Sequence, residues 1–148
     1  MRITTYSDYA LRLLMYLGLS EGRLCTIAEV ASSYDISRGH IMKVANELSR
    51  AGFIEAIRGR NGGMRLAKPA EVIRVGEVLR LTETDFDLVP CFESAKLCVI
   101  TPDCTLKTAL GQATQAFLET LDRYTLKDLL VSGEGLRRAL SIDPISGP

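Results

Sequence analysis

Three of the four cysteines fall inside one stretch of fourteen residues, CFESAKLCVITPDC, running from Cys91 to Cys104. Their spacing is C-x6-C-x5-C. A disulfide would consume two of these thiols, and a closed structural zinc site usually takes four ligands, often from close C-x2–4-C pairs that this loop lacks. Wider gaps suit a loop that wraps a larger object. An iron–sulfur cluster is such an object and is held by thiolates. Three cysteines would leave one iron for a ligand other than cysteine. A hard oxygen ligand holds such an iron more loosely than thiolate does, so that position would be open to attack. Three other readings stay open on the loop alone: a single metal ion such as zinc, a thiol redox switch, and idle thiols. A nucleophilic enzyme cysteine needs a histidine partner, and the only histidine, His40, lies in a different element. With no nucleotide-binding loop and no second cluster motif either, the chain is not expected to be an enzyme.

The remainder of the sequence sets the context for that loop. The 148 residues are enough for one domain with an extension, and long enough to bury a core. The longest apolar run, ALRLLMYLGL, is interrupted by Arg12 and falls short of the roughly 18 residues of a membrane span. MRITTYSDYA lacks signal-peptide character. A cytoplasmic location is expected, with no membrane partner; there thiols stay reduced and clustered cysteines read as ligands or sensors. The net charge is zero, yet residues 1–70 carry ten Lys/Arg against six acids, and residues 71–148 carry eight against twelve. A basic front half on a neutral chain suggests a polyanion-binding module.

The elements that would position these groups follow from periodicity and caps. Residues 7–20 place apolar side chains around most of a helix, with Ser7 as expected N-cap and Asp8 in the first turn. Thr26 and Glu29 form the S/T-x-x-E capping box of a second helix. After the turn DIS, Ser37 caps a third, whose Ile41, Val44, Ala45 and Leu48 face inward and which stops at Gly52. Two short strands, 53–57 and 64–67, flank RGRNGG, where Asn-Gly-Gly is a hairpin signal because such turns favour positive φ. Beyond the cysteine loop, Leu106, Leu110, Ala113, Phe117, Leu121 and Tyr124 recur at steps of three and four. A long helix with such a seam, next to a small domain, commonly pairs with its twin. The expected fold is mainly α with a small β-hairpin wing. Its divisions are a winged helix-turn-helix domain over 1–84, the cysteine loop over 85–104, a dimerisation helix with a short following helix over 105–131, and a weakly patterned tail over 132–148.

Two helices joined by a short turn and followed by a glycine-rich hairpin form a winged helix-turn-helix. The outward residues at the start of its second helix are Ser37, Arg38, His40 and Lys43, able to approach base edges and phosphates. The helix N-terminus adds amide donors for a phosphate. The wing carries Arg58, Arg60 and Arg65 around Asn61 and Gly62, a thin hairpin suited to a minor groove, where negative potential favours arginine. Double-stranded DNA is therefore the expected partner.

MRITTYSDYALRLLMYL, the helix-turn-helix with its wing RGRNGG, and CVITPDCTLKTAL together resemble the superfamily of winged-helix transcriptional regulators that contains NsrR, IscR and RirA. The resemblance spans about residues 1–130. RGRNGG and ITPDCTLK bring it nearest to the nitric-oxide-sensing NsrR branch. It implies a homodimeric repressor of a palindromic operator, crossed through the long helix, with nitric oxide as signal. It also implies that Cys91, Cys98 and Cys104 bind a [4Fe–4S] cluster, a [2Fe–2S] form being the alternative, with Asp8 of the other subunit as fourth ligand. IscR-like relatives use a histidine shortly after the third cysteine; Lys107 stands there and cannot ligate while charged. An iron-responsive, RirA-like regulator and a cluster-free thiol switch are the competing expectations. Cys25 lies outside the motif and reads as a buried apolar residue.

Overall fold

A computed structural model describes residues 2–143. Three helices open it: α1 (Thr5–Leu19), α2 (Ile27–Tyr34) and α3 (Arg38–Arg50). Strands β1 (Ile54–Ile57) and β2 (Gly63–Leu66) form an antiparallel hairpin with Ile54 opposite Leu66. Then come α4 (Val75–Thr82), three single 3₁₀ turns between residues 90 and 103, α5 (Thr105–Asp122), α6 (Leu126–Leu129) and α7 (Gly133–Ala139). No helix among the described residues is long and apolar enough to cross a membrane.

The core forms where α1 runs beneath the helix-turn-helix. Leu13, Leu14 and Leu17 of α1 are fully buried against Ile41, Val44 and Leu48 of α3 and Val30 of α2. Each such side chain contributes about 1.5–3 kcal/mol of burial. The inward set expected for α3 is the buried set observed. Local caps fix the ends. The Thr26 hydroxyl accepts from Glu29 N–H while the Glu29 carboxylate accepts from Thr26 N–H at 2.6 Å. Ser37 accepts from His40 N–H and starts α3. Gly52 follows the helix with φ +80, the left-handed conformation that glycine takes at least cost.

Several expected boundaries shift. Helix α1 is capped by Thr4, not Ser7: the Thr4 hydroxyl accepts from Ser7 N–H, one turn inside the helix, and Ser7 is fully buried. The hairpin turn runs from Gly59 to Gly62, closed by Gly62 N–H donating to Gly59 C=O at 3.0 Å. Its positive φ sits at Gly59 (+113), not within Asn-Gly-Gly. Gly62 is required for a different reason: a Cβ there would come within 2.2 Å of the Ile57 carbonyl oxygen.

The segment expected as a weakly patterned tail is folded as far as residue 143. Helix α7 packs on α1, and Leu140 and Ile142 are buried in the main core. Arg137 secures it by donating to Leu19 C=O at 3.1 Å and pairing with Glu21. Residues 144–148 lie outside the described residues.

Candidate DNA interface and thiol loop

The face of α3 opposite its buried stripe carries Ser37, Arg38, His40 and Lys43, all exposed. Arg38 and Lys43 have no carboxylate within ion-pairing distance among the described residues, and neither do Arg58 and Arg60 on the wing. By contrast, the cations that hold elements together are paired. Arg65 stands directly across the ladder from Glu55 and donates to its carboxylate at 2.8 Å. It is therefore a hairpin residue, whereas Arg60 and Asn61 occupy the tip of the turn. The base of the wing is fixed by backbone exchange with Cys25, whose N–H and C=O bond Met64 at 2.9 and 2.8 Å. Cys25 itself is fully buried, and burial pushes its thiol pKa up.

Helix α1 supports the α3 surface from behind. The Tyr6 hydroxyl donates to the Glu47 carboxylate, and Lys43 Nζ lies 5.6 Å from the centroid of the Tyr6 ring. Burial, then the Glu47 hydrogen bond, raise the Tyr6 hydroxyl to about 12, so it remains a donor at neutral pH. Tyr9 meets His40 with ring centroids 5.8 Å apart. Tyr6, Tyr9 and Glu47 carry no signal in the sequence, because they meet only through the packing of α1 across α3.

The three loop thiols are unpaired and half-buried. They lie on or beside successive 3₁₀ turns: Cys91 within Pro90–Phe92, Cys98 after Ala95–Leu97, and Cys104 after Thr101–Asp103, where it is also the first residue before α5. Cys98 C=O accepts from Thr101 N–H at 3.2 Å. Between Cys98 and Cys104, Thr101 Oγ1 is the one buried side-chain polar atom among the described residues without a hydrogen-bond partner. Such orphans are few in folded chains. No three His, Cys, Asp or Glu side chains among the described residues converge as a site for a metal ion. The three thiols supply the donor chemistry of a thiolate-ligated cluster, but among the described residues of the single chain they do not converge on one point.

Asp8 lies in the first turn of α1 and pairs with Arg12 one turn on, at 2.9 Å. Arg12 also lies 5.8 Å from the centroid of the Tyr34 ring of α2. On α5, the seam expected for dimerisation is incompletely covered: Leu106 is 65% exposed, Ala113 is exposed, and Leu110, Phe117 and Leu121 are half-buried. The helix's one buried residue is Leu118, outside that seam. Val99 (98% exposed) and Ile100 (61%) add apolar surface just before α5.

A family profile described as "Rrf2: Iron-dependent Transcriptional regulator" matches residues 3–132. The HTH-type transcriptional regulator NsrR of Bacillus licheniformis is 47% identical over 143 residues, which cover 95% of this chain and 100% of that protein. Among solved structures, the oxidized form of Staphylococcus aureus CymR matches with a TM-score of 0.73 and 28% identity, over 88% of this chain and 97% of that one. IscR of T. potens matches with a TM-score of 0.71 over 93% and 91% of the two chains; at 23% identity this is a likeness of fold.

Proposed function

The chain belongs to the Rrf2 family of transcriptional regulators, and on that premise we propose that it is a homodimeric repressor whose hold on a palindromic operator is governed by an iron–sulfur cluster that senses nitric oxide. The observation that carries this reading is the coincidence of three unpaired thiols on one loop with 47% identity to a protein named NsrR.

Cys91, Cys98 and Cys104 hold the cluster, [4Fe–4S] before [2Fe–2S], and Asp8 of the partner subunit supplies the remaining ligand. When bound, the cluster supplies an iron without thiolate ligation that is open to nitric oxide. Asp8 can offer Oδ1 to the iron while Oδ2 keeps its ion pair with Arg12, which is seated beside Tyr34. The two subunits pair along α5 through Leu106, Leu110, Ala113, Phe117 and Leu121. The exposure of Leu106, Val99 and Ile100 supports this, since a lone chain would leave that apolar surface in water.

At the DNA, Ser37, Arg38, His40 and Lys43 enter the major groove while Arg58, Arg60, Asn61 and Gly62 approach the backbone and minor groove. The unpaired state of Arg38, Lys43, Arg58 and Arg60 supports this: a cation already neutralised by a carboxylate releases fewer counterions on binding phosphate. The pairing of subunits must hold the two α3 helices roughly 34–36 Å apart to match successive grooves. A loss of that match by a few kcal/mol ends repression, because each 1.4 kcal/mol is about tenfold in affinity.

The family description favours a second reading, in which iron supply rather than nitric oxide is the signal. Anaerobic protein bearing cluster separates the two. Nitric oxide, added at a few molecules per cluster, should release the operator under the first reading. Iron chelation at controlled oxygen should do so, with no special response to nitric oxide, under the second.

A further inference from the structure

Lys43 and Glu47 are four residues apart on α3, the spacing at which opposite charges on a helix meet. They do not pair. Lys43 Nζ has no carboxylate within 4.0 Å among the described residues, and the Glu47 carboxylate takes its hydrogen bond from the Tyr6 hydroxyl of α1 instead. The same tyrosine presents its ring to Lys43 Nζ at 5.6 Å, and its hydroxyl also lies 3.4 Å from the Lys43 carbonyl oxygen. Arg50, three residues beyond Glu47, is exposed and not ion-paired to it. One side chain from another helix therefore occupies the anion and seats the cation of what would otherwise be a self-neutralising pair.

We propose that Tyr6 is a positioning residue for DNA binding: by holding the Glu47 carboxylate against α1, it keeps the Lys43 ammonium free for a backbone phosphate. This rests on the reading of α3 as the DNA-contacting helix. Without the hydroxyl, Glu47 is free to swing to Lys43. A neutralised Lys43 contributes nothing to counterion release, and a loosened carboxylate on the same face repels phosphate. Because Tyr6 lies on the first turns of α1, displacement of that helix start would weaken the phosphate contact without any movement of α3 itself.

The test uses the full chain, kept anaerobic, and the duplex that the wild-type chain selects from random-sequence DNA. Affinity is read by fluorescence anisotropy across a salt series. Tyr6→Phe keeps the ring and removes the hydroxyl. It should weaken binding about five- to tenfold and flatten the log–log salt dependence by about one unit per bound subunit, as Lys43→Ala does. Tyr6→Phe/Glu47→Gln should restore both slope and affinity to within about twofold of wild type. Glu47→Gln alone, which does not depend on the tyrosine variant folding, should leave the slope unchanged, because the carboxylate is already sequestered.

A wild-type slope in Tyr6→Phe overturns the proposal. So does a defect that Glu47→Gln fails to relieve, which would mark Tyr6 as a packing residue only, and so does a steeper slope in Glu47→Gln alone. If Lys43→Ala itself leaves the slope untouched, the reading of α3 fails as well. A Lys43→Ala effect beside a silent Tyr6→Phe removes the tyrosine's role alone.

Discussion

The hydroxyls of Ser7 and Thr82, 75 positions apart in the sequence, lie 2.7 Å from each other and are buried. Thr82 Oγ1 also lies 2.9 Å from the Val78 carbonyl, and Ser7 Oγ lies 3.1 Å from Thr4 Oγ1. This chain of hydroxyls fastens the first turn of α1 to the last turn of α4, where the segment leading to the thiol loop begins. Thr82→Val keeps the shape and removes the hydroxyl. It leaves Ser7 short of a buried partner, and urea unfolding should report a loss of about 1–2 kcal/mol. Ser7→Ala/Thr82→Val, which removes both partners, should cost little more than the single change.

Glu83 closes the same clasp by accepting from Thr4 N–H at 2.7 Å and the Thr4 hydroxyl at 3.0 Å. Burial by itself would raise its carboxyl. Hydrogen bonds from Ser7 and Thr4 outweigh burial and hold the pKa below the ordinary value. A carboxyl depressed in the folded state gives stability that is complete above its unfolded value, about 4.3, and is lost as pH falls through the folded value. The stability gap between wild type and Glu83→Gln should therefore be constant from about pH 8 to 5 and shrink below about pH 4. A gap independent of pH would remove the charge from the clasp.

Gly76 packs α4 against the end of α5. A Cβ there would fall 2.1 Å from Asp122 Oδ1 and 2.9 Å from Arg80 Nη1, the two side chains of a bidentate pair at 2.6 and 2.8 Å. Alanine is worth up to about 1 kcal/mol over glycine in a helix, while the atoms it would meet are the ends of two flexible, exposed side chains, so its cost is that of displacing a surface ion pair, about 0–1 kcal/mol. Gly76→Ala should therefore change stability by less than about 1 kcal/mol in urea unfolding. In an Arg80→Ala/Asp122→Ala background, where both neighbours are gone, alanine should be the more stabilising residue.

The two arginines of the wing should separate in one assay. Arg60→Ala, at the tip, should weaken all sequences alike and flatten the salt dependence by about one unit per bound subunit. Arg65→Ala breaks an exposed cross-strand pair with Glu55, worth about 0–1 kcal/mol of stability, and should leave the slope as it was. Equal slope changes would contradict this division of the wing.

The sequence shows its local devices clearly. The Thr26–Glu29 capping box, the Ser37 cap and the inward face of α3 are read directly, because each depends on residues three or four apart. Failures came where distant packing decides. Ser7 is buried rather than capping because α4 arrives with Thr82, and Thr4 one turn earlier supplies the cap. The segment 133–142 looked unpatterned because only Leu136, Leu140 and Ile142 have to face α1. The wing's glycines were located, but the positive φ belongs to Gly59, set by the closing bond to Gly62. The candidate ligands were legible as a spacing. Where the thiols point could not be read, because a loop of single 3₁₀ turns carries no periodicity that fixes it, and among the described residues they do not converge.

The most direct measurement is a nitric oxide titration of anaerobically purified full chain, following visible absorption and operator binding in the same sample, with cysteine variants alongside. A thiolate-ligated cluster should be present in wild type and in Cys25→Ala, whose cysteine is buried away from the loop, and absent from Cys91→Ser, Cys98→Ser and Cys104→Ser. Nitric oxide at a few molecules per cluster should bleach the band and release the duplex together. Protein that stays colourless after anaerobic reconstitution with iron and sulfide, or a band that bleaches with no change in DNA affinity, would contradict cluster-controlled repression.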